Sequence, residues 1–253
     1  MFVGLREIRA AKGRFTLMGA VVGMITLLLV MLTGLTGGLG AQNTAGLNAL
    51  DPKRYVFGNA LDDTAPEDPT FAESSVTATD QSAWAATTGV DEAVPLGMTQ
   101  TLLTGESSGS VAVWGIPEGS GLVEHTVSPA LAGVTEPDDD GAVVPESLAE
   151  ELALKVGDEV TIGPLELTVQ GIVEDQWYSH SAIVWVTTDS WQAIAHADDD
   201  VVGTVLAVFG EEDTTAWAAT EQTTATVSTG VSEAFQALPA YSSESGSLTM
   251  MQG

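Results

Sequence analysis

Few side chains in this sequence have chemical capability, and they are unevenly placed. Three histidines, His125, His180 and His196, are scattered without the spacing of a metal site. Trp177-Tyr178-Ser179-His180 brings indole, phenol and imidazole together after a strand-like run, where recognition residues often sit. Phenolate and imidazole are axial ligands for a porphyrin iron, and an indole can flank its ring. The same side chains would equally cover the end of a sheet. Tyr241 and Met250-Met251 are a second candidate: they could face a lateral ligand path, or serve as an interfacial anchor and as packing. The triplets Asp138-Asp139-Asp140 and Asp198-Asp199-Asp200 lack the alternating ligands and distal glutamate of a calcium loop, so both read as solvated turns. No glycine-rich phosphate loop with its lysine occurs, and no Gly-x-Ser-x-Gly elbow. With no cysteine, disulfides and thiolate metal sites are out of reach. The reading is a non-enzymatic chain without a metal site or resident cofactor.

The elements that must position these residues begin with a hydrophobic run. Phe15 to Gly40 is 26 residues without a charge, more than the roughly 20 needed to cross a bilayer core. A helix satisfies its own backbone there, which lipid requires. A cleaved signal peptide would have a shorter apolar stretch, so an uncleaved anchor is expected despite Gly38-Leu39-Gly40. Four of the seven basic residues (Arg6, Arg9, Lys12, Arg14) precede the run, placing the N-terminus in the cytoplasm, although Lys53 and Arg54 lie on the other flank. Phe2, Leu5 and Ile8 have helical spacing, which suits either an amphipathic helix on the inner surface or a plain basic flank. Gly19 and Gly23 form a small-xxx-small pair that permits close helix packing.

Beyond Arg54 the chain holds 33 acidic residues against one base, Lys155. That charge excludes general binding of nucleic acid or anionic lipid, and reads as a solubility device or as an acidic binding surface. Residues 59–75 read as an acidic, proline-broken loop. Thr79-Asp80 reads as a helix start with Trp84 buried and Gly89 as the stop, and Val94–Leu103 and Ser110–Ile116 read as strands. Ala142 to Val173 is the most legible stretch. It reads as a strand, a helix opened by a Ser147-x-x-Glu150 capping box and carrying Leu148, Leu152 and Leu154, then a hairpin of Glu159–Ile162 and Leu165–Val173. Leu165, Leu167 and Val169 alternate with Glu166, Thr168 and Gln170, so the apolar set should face a core. The whole unit is expected to form one subdomain, with Trp84, Trp185, Leu148, Leu152, Val160, Leu167 and Val169 buried.

The string Val-Val-Pro-Glu-Ser-Leu-Ala-Glu-Glu-Leu-Ala-Leu-Lys-Val-Gly-Asp-Glu-Val-Thr-Ile-Gly, with Leu-Thr-Val-Gln-Gly-Ile-Val-Glu-Asp, resembles the extracytoplasmic core domain of MacB/FtsX-type ABC transporter permeases. Leu5-Arg6-Glu7-Ile8-Arg9 ahead of one membrane helix is similar to that family as well. Trp177-Tyr178-Ser179-His180 with Val184-Trp185, and Tyr241-Ser242-Ser243-Glu244 with Gly246-Ser247-Leu248, look similar to actinobacterial permeases related to heme exporters. The resemblance implies a homodimer of permeases working with a separate ATPase subunit, and one membrane helix before the outer domain with three after it. Ending at Gly253, the sequence reads as an N-terminal fragment of such a permease.

The expected architecture is an α+β extracytoplasmic domain following one transmembrane helix: 1–14 a cytoplasmic basic segment, 15–40 the membrane helix, and 41–253 the MacB-like core domain. Three functions remain open. The chain is a permease exporting a hydrophobic or amphiphilic substrate, with heme the leading candidate; or an FtsX-like relay of ATPase motion to an outside partner; or a membrane-anchored binding or sensor module. Tyr178, His180 and Tyr241 are the expected ligand contacts, membrane lipid is an expected partner, and nucleic acid is not.

Overall fold

The computed structural model describes residues 12–60, 64–120, 122 and 136–238. Two compact units divide the chain, 1–41 and 42–253. Helix α1 (Lys12–Leu50) supplies the described part of the first and enters the second with its last turns. Its apolar window, Thr16–Gly34, is 19 residues long, or about 28 Å at 1.5 Å per residue, close to the thickness of a bilayer core. Large side chains from Leu17 to Leu32 are exposed on every side of the helix, so this stretch is apolar all round rather than amphipathic. The hydroxyls of Thr26 and Thr33 donate to the carbonyls of Val22 and Leu29 one turn back, leaving no polar group unpaired in those side chains.

The second unit is built on one long strand. Its elements are β1 (Arg54–Phe57), β2 (Val76–Thr77), α2 (Ala78–Ala85), β3 (Val90–Thr104), β4 (Ser108–Ile116), β5 (Gly141–Pro145), α3 (Glu146–Leu152), β6 (Glu159–Ile162), β7 (Leu165–Val173), β8 (Trp177–Tyr178), β9 (Ser181–Thr187), α4 (Thr188–Ala195), β10 (Val201–Gly203), β11 (Val205–Gly210), α5 (Thr214–Thr224), β12 (Val227–Thr229) and α6 (Val231–Ala234). The order β12-β1-β11-β3 makes an open sheet, and β3-β4-β9-β5-β7-β6 returns to β3 through the pairs Leu103–Ile162 and Thr104–Thr161. Six strands therefore close into a small barrel, which leaves no free edge around it. Helices α2 and α5 cover one face of the open sheet through Trp84 and Trp217, packed edge to face at 5.7 Å. Leu103, Val113, Val144, Leu167 and Val184 share a barrel-side core with α3 and α4.

Most expected elements are present, with shifted ends. The seven residues expected to be buried are all at most 5% exposed. Glu166 is exposed, and Thr168 and Gln170 are half-buried, so the register of β7 is as the alternation predicts. Three details differ. Helix α2 begins two residues early because Thr77 and Asp80 form the capping box, and it ends at Ala85, before Gly89. Helix α3 is not opened by a Ser147–Glu150 box: Pro145 is its N-cap, and the free Ser147 N–H donates to Asp175 across the barrel end at 2.9 Å. It also stops at Leu152, with Ala153 left-handed and Leu154 buried beyond it. Finally, Ala142–Val173 is not self-contained, since β5 also pairs with β9 and β6 with β3. In the acidic turn at 136–141 the three aspartates are exposed yet well bonded, because Asp138 pairs with Gln170 and Asp139 accepts from Thr187.

Candidate functional site

The Trp177–His180 motif folds as a tight hairpin between β8 and β9. Tyr178 pairs with Ser181, and the two residues between them, Ser179 and His180, have φ of 48° and 64°. A two-residue turn with both φ positive matches the twist of the strands it joins. The turn separates the two candidate ligands. His180 is exposed at the tip, while Tyr178 points inward and is only 7% exposed. The Tyr178 ring lies 5.7 Å from Trp114 and 6.1 Å from Phe71, both edge to face. Burial pushes its phenol well above the ordinary tyrosine range, which disfavours the phenolate. His196 is exposed at the left-handed C-cap of α4. Tyr241, His125 and Met250-Met251 lie outside the described residues. Among the described residues no group of three or more His, Cys, Asp or Glu is placed to hold a metal ion.

What the structure does bring together is the end of α1 and the aromatic core. Leu47 is fully buried and Leu50 nearly so, in one cluster with Tyr55, Trp114, Tyr178 and Trp185. Gly46 is essential to this seating: a Cβ there would lie 2.4 Å from Ile183 and 2.8 Å from Trp114. The last four carbonyls of a helix have no partner within it. Tyr55 answers one of them, its hydroxyl donating to the Leu47 carbonyl at 2.8 Å in a buried setting. Burial, and then the charge of Asp51, hold the Tyr55 phenol well above its ordinary pKa, so it stays a donor. Trp114 and Trp185 stack edge to face at 5.2 Å behind it. None of Gly46, Leu47, Tyr55 and Trp114 stands out in the sequence as a site; a glycine at the end of a long apolar helix was the available signal.

A family model described as the MacB-like periplasmic core domain matches residues 15–239. The chain belongs to this family. It carries the extracytoplasmic domain of a MacB-like ABC transporter permease, mixed α and β, after one apolar N-terminal helix. Two solved structures are similar to it. The periplasmic region of MacB from Actinobacillus actinomycetemcomitans is 14% identical with a TM-score of 0.49, over 75% of this chain and 94% of that one. The extracellular domain of the noncanonic ABC-type transporter YknZ from Gram-positive bacteria is 16% identical with a TM-score of 0.48, over 70% of this chain and 98% of that one. No curated protein matches the chain. In this MacB-like domain an aromatic cluster seats a helix end, while His180 is exposed on the surface.

Proposed function

We propose that the chain is the permease-type subunit of an ABC export system, anchored by α1 with its N-terminus in the cytoplasm and its core domain outside. A separate ATPase subunit supplies the hydrolysis, and a second copy of the permease completes the transporter. One observation carries this reading: the end of the apolar helix is built into the core of the outer domain through Gly46, Leu47 and Tyr55. A simple tether needs no such seat, whereas a subunit that passes motion between helix and domain does. The same observation favours a second reading, an FtsX-like relay to an outside partner, because the seat serves force transfer whatever is moved.

The finer reading takes the substrate as hydrophobic or amphiphilic, with heme as the leading candidate. Its support is the likeness of the Trp177–His180 and Tyr241–Leu248 segments to permeases related to heme exporters, together with an exposed imidazole at His180. Tyr178, as a buried neighbour, holds the hairpin that presents it, and Tyr241 is the third proposed contact. The full permease, expressed with its ATPase, is expected to protect cells against added heme. His180→Ala and Tyr241→Phe are expected to lower that protection at unchanged expression. Full protection in the double variant removes these residues from the ligand path; no protection by the parent protein removes heme as the substrate and leaves the relay reading.

A further inference from the structure

The end of α1 shares its cluster with the last residues of the domain. Ala234, Ala237 and Leu238 are buried there with Leu47, Leu50, Tyr55 and Phe57, and the family match closes just beyond them at residue 239. The chain thus leaves the domain through the cluster by which it enters. Phe71 touches both ends. It is the one large apolar side chain of the acidic, proline-broken stretch 64–75, and it is only 3% exposed. Its ring meets Tyr55 edge to face at 6.0 Å and Phe57 at 4.9 Å, while its N–H donates to the Ala237 carbonyl at 3.4 Å. We infer that Phe71 is a tie between the end of α1 and the Ala234–Leu238 segment, holding the two as one body so that a displacement of either reaches the other.

Three observations support this. First, the path is unbroken. The Tyr55 hydroxyl holds the Leu47 carbonyl at 2.8 Å, the Tyr55 ring meets the Phe71 ring, and the Phe71 backbone holds Ala237. Chains of packed side chains and hydrogen bonds of this kind carry coupling between sites. Second, the stretch that carries Phe71 is itself fixed. The Gly58 N–H donates to Ser74 Oγ at 3.2 Å, and that hydroxyl donates to the Thr204 carbonyl at 2.6 Å, so one serine bridges the chain at the ends of β1 and β11. The Ser75 N–H donates to the Gly58 carbonyl at 3.2 Å, and a Cβ on Gly58 would stand 2.8 Å from the Ser75 carbonyl oxygen. Phe71 is therefore held by its neighbours in sequence as well as by its ring. Third, no other large side chain of 64–75 enters the core: Glu67, Asp68 and Glu73 are all exposed. The hydrophobic hold of this stretch on the domain is one ring, placed where the two ends of the domain meet.

The use of this tie rests on the proposed passage of motion through α1, whereas hydrogen exchange of the full chain in detergent reads the tie itself, with no ATPase or substrate present. Phe71→Ala removes the ring and leaves the backbone. It is expected to raise the exchange rate at least about tenfold both in Leu47–Leu50 and in Ala234–Leu238. Helix α2, packed in the separate cluster of Trp84 and Trp217, is expected to exchange as in the parent. A rise in only one of the two segments, or in neither, overturns the tie. So does a uniform rise that includes α2, which would make Phe71 general packing. Should Phe71→Ala fail to fold, Leu238→Ala decides from the other side. It is expected to raise exchange in Leu47–Leu50 about tenfold with α2 unchanged, and an effect confined to Ala234–Leu238 overturns the tie.

Discussion

Replacing Tyr55 by phenylalanine removes one oxygen from the seat of α1 and keeps the ring. Tyr55 and Leu47 are both 0% exposed, so water cannot take the place of the lost donor at the Leu47 carbonyl. The ring contact with Phe71, at 6.0 Å, is retained, and removing one hydroxyl leaves too little space to count as a cavity. The loss is therefore that of an unsatisfied buried acceptor, about 1–3 kcal/mol. At roughly 2–4 °C per kcal/mol for a domain of this size, a mid-range loss of about 2 kcal/mol lowers the melting temperature by about 4–8 °C. Thermal unfolding of the full chain in detergent, followed by tryptophan fluorescence, measures it, because Trp114 and Trp185 lie in the same cluster. The fold itself should survive, with unchanged far-UV circular dichroism. A melting temperature within about 1 °C of the parent would mean that the carbonyl finds another partner and that the hydroxyl does not secure the helix end.

Two left-handed alanines offer the opposite change. Ala153 and Ala225 end α3 and α5 at φ of 55° and 51°, and replacing each by glycine is expected to raise stability by about 1 kcal/mol per site; a loss at either would show the φ strain to be relieved some other way. Alkaline titration tests the buried phenols. Tyr55 and Tyr178 both have raised pKa values in the fold. Their contribution is complete below the ordinary tyrosine pKa of about 10 and is lost as pH rises from there toward the folded values. Melting temperature should fall above about pH 10, and less steeply in Tyr55→Phe and Tyr178→Phe; an equal slope in both variants would assign the fall to other groups.

Local pattern carried much of this fold. The alternation in β7, its hairpin with β6, and the apolar length of α1 are properties of neighbouring residues, and a period of two or an uncharged run is visible without any partner. The strands of Ala142–Val173 were legible for that reason, but their closure with β3, β4 and β9 was not, because a strand's pattern says which face is buried and never which strand lies beside it. The helix cap shows the same limit at smaller scale. Ser147-x-x-Glu150 satisfies the local rule, yet Asp175, 28 residues away, takes the bond. The candidate site divides likewise. Sequence placed Tyr178 and His180 two residues apart, which on a continuous strand would put them on one face; the positive-φ turn at Ser179 and His180 breaks that period and leaves one in the core and the other in solvent. The seat of α1 is assembled from residues 46, 47, 55, 114 and 183. Each of those residues is ordinary in its own segment: a glycine, a leucine, a tyrosine, a tryptophan or an isoleucine. Only the tertiary structure gives them a role, because close approach and the pairing of a buried carbonyl exist between segments and not within them.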